Sequence, residues 1–132
     1  MNLTYLVDTD WVIHHLNGNP AVIKRLEALQ PEGLGLSVAV LAELYEGVYY
    51  SRDPEESERK LNDFLDSVHI VGIDEETARI FGRERGKLRQ AGLIIGDMDL
   101  LIAATALQYD LTLLSNNRRH FERIDGLQIE SI

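Results

Sequence analysis

The chain has 132 residues, enough for one domain whose core needs no covalent staples. Its formal charge of −9 argues against a protein that coats DNA or RNA, which would ordinarily be basic, but leaves room for an enzyme with its acids gathered in one site. The absence of cysteine excludes a disulfide framework, a thiolate metal site and a cysteine nucleophile, and no apolar run nears the roughly 18 residues of a membrane span.

The N-terminus, Met1-Asn2-Leu3-Thr4, carries no basic region followed by a long apolar stretch, so a cytoplasmic location is expected. Residues 3–7 read as an apolar strand, and helices are expected over 10–16 and 20–29. Asn19-Pro20 marks the second helix start, with Pro at the first helical position. A strand at 34–37 leads into a helix over 38–51, and Asp53-Pro54 opens another over 54–66. A strand at 69–71 precedes a helix over 74–91, capped by Asp74 with Thr77 three residues on. Gly82 and Gly86 fall inside that segment and predict an interrupted rod. A helix over 98–109, a strand at 112–114 and an edge strand at 127–129 complete the chain. Strands alternating with helices of this length predict an α/β fold, a parallel sheet with helices on both faces and one domain over residues 1–132. In such sheets ligands collect beyond the carboxyl ends of the strands, where the strand order reverses.

Three acids stand against core segments. Asp8 follows the first strand, Glu43 lies within Val38-Ala39-Val40-Leu41-Ala42-Glu43-Leu44, and Asp99 precedes Leu100-Leu101-Ile102-Ala103-Ala104. A carboxylate beside buried aliphatics is costly unless it is paired, hydrogen-bonded or bound to metal. Three from distant segments therefore suggest one site for a hard divalent cation. Each also has an ordinary role. Asp8 can cap the first helix, although Thr9 or Asp10 can serve equally and free Asp8. Glu43 can be a solvated position, with Glu46 one turn on as its competitor. Asp97 can cap the helix whose first turn holds Asp99. Ser115-Asn116-Asn117 after the fourth strand reads as a turn whose hydroxyl and amides could orient a bound water. His14 and His15, adjacent and so on different helix faces, complete no zinc pattern, and His69 and His120 read as structural. Tyr45, Tyr49 and Tyr50 are expected to pack on another helix or a partner subunit. The basic groups Arg79, Arg83, Arg85, Lys87, Arg89 and Arg118, Arg119, Arg123 read first as solvated faces and second as a phosphate-contacting rim.

Taken in order, Tyr5-Leu6-Val7-Asp8-Thr9-Asp10, Leu41-Ala42-Glu43-Leu44-Tyr45-Glu46-Gly47-Val48, Ile95 through Ala104, and Leu113 through Phe121 resemble the PIN-domain ribonucleases, specifically the VapC toxins of toxin–antitoxin pairs. The resemblance spans nearly the whole chain. It implies an α/β/α sandwich and an Mg²⁺ or Mn²⁺ site formed by Asp8, Glu43 and Asp99, with Asp97 nearby. The fourth acidic position of the family falls on an amide here, Asn117 in first place and Asn116 in second. The implied activity is endoribonuclease cleavage by metal-activated water, leaving a 5′-phosphate and a 3′-hydroxyl, with Glu43 or Asp97 able to accept the water's proton. The implied substrate is tRNA or other structured RNA with single-stranded loops. Implied partners are a VapB-type antitoxin and a second copy of the chain, with operator DNA reached only through the antitoxin.

Two other readings stay open. One is a catalytically inactive binding module of the same fold, which the full set of acids opposes. The other is a different phosphoryl-transfer hydrolase using Asp8-Thr9-Asp10 as nucleophile and acid, with Asp97 and Asp99 as the downstream pair. A nucleotide-binding reading fails because no Gly-rich phosphate loop is present.

Overall fold

The computed structural model describes residues 2–132. Five strands, β1 (Tyr5–Val7), β2 (Leu34–Ser37), β3 (His69–Val71), β4 (Thr112–Leu114) and β5 (Ile129–Glu130), form one parallel sheet in the order β3-β2-β1-β4-β5. Helices α1 (Thr9–Leu16) and α2 (Pro20–Leu29) join β1 to β2, and α3 (Val38–Tyr49) and α4 (Pro54–Leu65) join β2 to β3. Helices α5 (Glu75–Gln90) and α6 (Asp97–Gln108) carry the chain back across the sheet to β4, and the one-turn α7 (Arg118–Phe121) precedes β5. The first two crossovers run one way along the sheet and the later ones run the other. Right-handed connections therefore place their helices on opposite faces, giving the expected α/β/α layers. The order reverses at the β1–β4 pair, where Tyr5 aligns with Thr112 and Val7 with Leu114.

The two strands at this reversal, β1 and β4, are sealed in the core. Leu6, Val7, Leu113 and Leu114 are fully buried, as are Trp11 of α1 and Leu100 and Ile102 of α6. Helix α6 buries Ala103, Ala104 and Ala106 as well, because small side chains let it lie close against its neighbours. Among the described residues no helix is long and apolar enough to cross a membrane.

Most helix starts follow the sequence signals. The Asn19 side chain accepts from the backbone N–H groups of Ala21 and Val22, and Asp53 accepts from Glu56. Asp74 and Thr77 form a reciprocal capping box. Gly33 has φ +94°, and any Cβ there would collide with the Asn2 carbonyl, so this turn into β2 requires glycine.

Several expectations need correction. Helix α5 runs unbroken through Gly82 and Gly86, above both of which no described residue packs. Its capping box and the buried stripe Thr77, Ile80, Glu84 and Leu88 outweigh the two glycines. Helix α1 begins at Thr9 with Asp8 as its cap, and α6 begins at Asp97 with Gly96 as its cap. The strand expected over 127–129 forms instead at Ile129–Glu130, and α7 carried no periodic signal in four residues. Tyr45 packs on the core as expected, and Tyr49 and Tyr50, 68% and 87% exposed in the single chain, do not pack on another of its helices.

Candidate active site

The carboxyl ends of β1 and β4 carry Asp8 and Ser115 side by side at the reversal of strand order. The backbone N–H of Asp8 donates to the Leu114 carbonyl at 3.0 Å, which fixes where its side chain starts. One carboxylate oxygen of Asp8 accepts from the Thr9 backbone N–H at 2.8 Å, and the other from the Ser115 hydroxyl at 2.7 Å. Asp8 thus caps α1 itself. The idea that Thr9 or Asp10 would release it from capping is not what the fold does; the same carboxylate holds the cap and faces the site. Asp10 accepts from the N–H groups of Trp11 and Asn116, so both its oxygens serve local backbone.

Asp8 is 6% exposed. Burial pushes its carboxyl up to about 6; the Ser115 hydroxyl pulls it back, the charge of Asp10 raises it, the Thr9 N–H lowers it, and the charge of Asp99 raises it again.

From Asp8 a continuous run of hydrogen bonds reaches every other segment of the site. The Thr9 hydroxyl donates to Glu43 Oε1 at 2.8 Å, tying α3 to the start of α1. Glu46 is exposed, so the competition on α3 falls to Glu43. In the other direction, Ser115 Oγ accepts from the Asn117 backbone N–H at 3.0 Å, and Asn117 Nδ2 approaches Asp99 Oδ2 at 3.4 Å. His120 Nδ1 lies 2.9 Å from the same Asp99 oxygen. Glu43, Thr9, Asp8, Ser115, Asn117, Asp99 and His120 therefore form one linked edge drawn from four chain segments.

Two residues expected near this edge stand apart from it. Asp97 is 84% exposed in its side chain and pairs with Arg85 Nη2 at 2.6 Å. Asn116 turns away, its amide oxygen accepting from Trp11 Nε1 at 3.1 Å and the Ile132 N–H at 3.0 Å. Thr9 and His120 were missed as site residues. The signal for His120 was its position three residues after Asn117, which on any helical turn shares a face with it.

The donor set suits a hard cation that keeps much of its water: carboxylate oxygens, a buried acid repelled by two neighbouring acids, and no sulfur. Among the described residues no three acids or histidines already converge on one point, since Glu43 leans on Thr9 and Asp99 on His120. A groove of about 300 Å³ opens beside Glu43 between α1, α3 and α4, walled by Ile13, Leu16, Leu44 and Val48, with Asn17 and Lys60 at its rim. Most of the basic residues are solvated faces: Arg79 pairs with Glu76, Arg83 and Lys87 with Glu84, and Arg118 with Glu122.

An all-parallel sheet with this strand order and a buried Asp8 beside Ser115 at its switch point defines an α/β protein with a polar working edge. The sequence profile of the PIN domain matches residues 5–127, and the chain belongs to the PIN-domain family and, within it, to the VapC group. It is 36% identical to Ribonuclease VapC2 of Rickettsia felis over 131 residues, covering 98% of each chain. It is 29% identical to the tRNA(fMet)-specific endonuclease VapC of Shigella flexneri, covering 97% of each. Among solved structures it superposes with a TM-score of 0.93 on the Rickettsia felis VapBC2 complex bound to a promoter DNA fragment, at 35% identity, covering 98% of this chain and 99% of that one.

Proposed function

We propose that the chain is a metal-dependent endoribonuclease toxin held inactive by a cognate VapB-type antitoxin. The observation that carries the reading is the linked edge running from Glu43 through Asp8 to Asp99, in a chain akin to proteins named ribonuclease and tRNA-specific endonuclease. Asp8, Glu43 and Asp99 would hold Mg²⁺ or Mn²⁺. When bound, the cation lowers the pKa of a water and offsets charge on the scissile phosphate.

The chain's own residues supply positioning. Ser115 and the Thr9 N–H fix Asp8 from two sides, so its carboxylate need not reorganise. Thr9 holds Glu43 Oε1, and among the described residues Oε2 takes no hydrogen bond, which suits Glu43 to accept a proton from an incoming water. Asn117 stands at the fourth corner as an uncharged donor to Asp99. The hydrolase reading with Asp10 as acid is disfavoured, because both Asp10 oxygens are taken by backbone N–H groups. RNA with an unpaired loop is the substrate class, since a single strand can bring its backbone to a recessed edge. By the resemblance to the VapC toxins, the antitoxin's C-terminal segment would lie over the acidic edge.

The test is cleavage of a tRNA pool by the purified chain in Mg²⁺, alongside growth arrest on induction. Asp8→Asn and Asp99→Asn should each lose both activities while keeping a native circular dichroism spectrum. Full cleavage by both variants at equal Mg²⁺ would sink the assignment. Cleavage undiminished in the antitoxin complex would remove the inhibition half of the proposal.

A further inference from the structure

Asp99 is held by a partner that the acidic set does not include. Its Oδ2 lies 2.9 Å from His120 Nδ1 and 3.4 Å from Asn117 Nδ2, and among the described residues its Oδ1 takes no hydrogen bond. A carboxylate oxygen only accepts, so the His120 ring must carry its proton on Nδ1 to make the closer contact. Asn117 Nδ2 also lies 3.2 Å from that nitrogen, but with Nδ1 protonated the amide has only the carboxylate to donate to. His120 is therefore the principal donor to Asp99 and Asn117 the weaker one.

The local fold explains why His120 can hold this position. It sits on α7, a single turn anchored by Phe121, which is fully buried. Residues three apart share a face of that turn, so Asn117 and His120 both point at the start of α6. The imidazole itself is 41% exposed.

We infer that His120 is a positioning residue for Asp99, holding Oδ2 so that the carboxylate is fixed before a cation binds. The inference rests on the divalent-cation reading of this edge. A ligating carboxylate whose second oxygen is tied loses less freedom on binding metal, and removing such an outer partner weakens metal binding about 10- to 100-fold. The nitrogen of an asparagine side chain falls near the place of a histidine Nδ1, so Asn at 120 can supply the same donor where Ala cannot.

The experiment measures Mn²⁺ binding to the purified, RNA-free chain by calorimetry at pH 8, with thermal melting run on every variant. His120→Ala should weaken binding at least about tenfold, and His120→Asn should restore it to within about threefold of wild type. The spin-echo spectrum of bound Mn²⁺ in the wild type should show no directly coordinated imidazole ¹⁴N. Unchanged or tighter binding by His120→Ala, failure of His120→Asn to restore it, or an imidazole coupling on the metal would each overturn the inference. Asp8→Asn and Asp99→Asn serve as the separate control. If both bind Mn²⁺ as wild type does, the cation reading itself fails; if both lose it while His120→Ala does not, only the role of His120 falls.

Discussion

The start of α1 and the start of α6 each carry a carboxylate, and the fold treats the two in opposite ways. Asp8 is buried, bonded on both oxygens, and has its acidity suppressed by burial and by the charge of its neighbours. Asp97 is open to solvent and meets the guanidinium of Arg85. Either acid suits the positive end of a helix dipole, so that effect cannot explain the difference. Burial can. A carboxyl raised from 3.8 to about 6 is a carboxylate that destabilises the folded chain at neutral pH by roughly 3 kcal/mol. An acid kept at such a cost points to use, whereas an exposed, paired acid needs no explanation beyond the surface.

The sharpest way to break this contrast is cleavage activity. Asp8→Asn and Asp99→Asn should cost at least about 10²-fold, the scale of losing several kcal/mol of transition-state stabilisation. Asp97→Asn should stay within about tenfold of wild type, because its carboxylate faces Arg85 and not the linked edge. Equal losses at positions 8 and 97 would dissolve the distinction.

Stability gives a second test with the sign inverted. In the chelated protein Asp8→Asn keeps an oxygen for the Thr9 N–H and removes the buried charge but turns an N–H toward the Ser115 hydroxyl, which loses its acceptor, so at pH 7.5 the variant should be more stable than wild type by clearly less than about 3 kcal/mol. Because the folded-state pKa is raised, the wild type's penalty is full above about pH 6. It shrinks as pH falls toward 3.8, where Asp8 is protonated in both states. Urea melts at pH 7.5 and pH 4 should therefore show the advantage and then its disappearance. Mg²⁺ should stabilise the wild type and leave the variant unmoved. A variant less stable than wild type at pH 7.5 would mean that Asp8 is a structural asset.

The sequence made the layer order and the three core-adjacent acids legible because both are one-dimensional signals: hydrophobic period, and a charge where the period calls for an aliphatic. What it hid were contacts with no period. The Thr9–Glu43 bond joins residues 34 apart, and His120–Asp99 joins residues 21 apart. His120 in particular looked structural because α7 is too short to show amphipathicity. Asp97 misled for a related reason. An acid after glycine and before an apolar run has the pattern of an N-cap, but Gly96 already holds the extended backbone, and Asp97 became the first helical residue. The glycines of α5 misled because propensity is local and the buried stripe that overrides it is not.

The smallest effect concerns the α6 side alone. Arg85 is mostly buried, stacks 5.4 Å over the Phe81 ring and donates to the Ile95 carbonyl at 2.9 Å as well as to Asp97. Removing it takes away three contacts, one of them to the backbone that leads into α6, and Arg85→Ala should cost about 1–2 kcal/mol. Asp97→Ala removes only the exposed end of one contact. A double-mutant cycle between the two should give a coupling below about 1 kcal/mol, since water competes for the exposed carboxylate and salt screens it. That small coupling should fall further in high salt. A coupling well above this, insensitive to salt, would mean that Asp97 is anchored as firmly as Asp8, and that the two helix starts differ in exposure but not in how tightly they hold their acids.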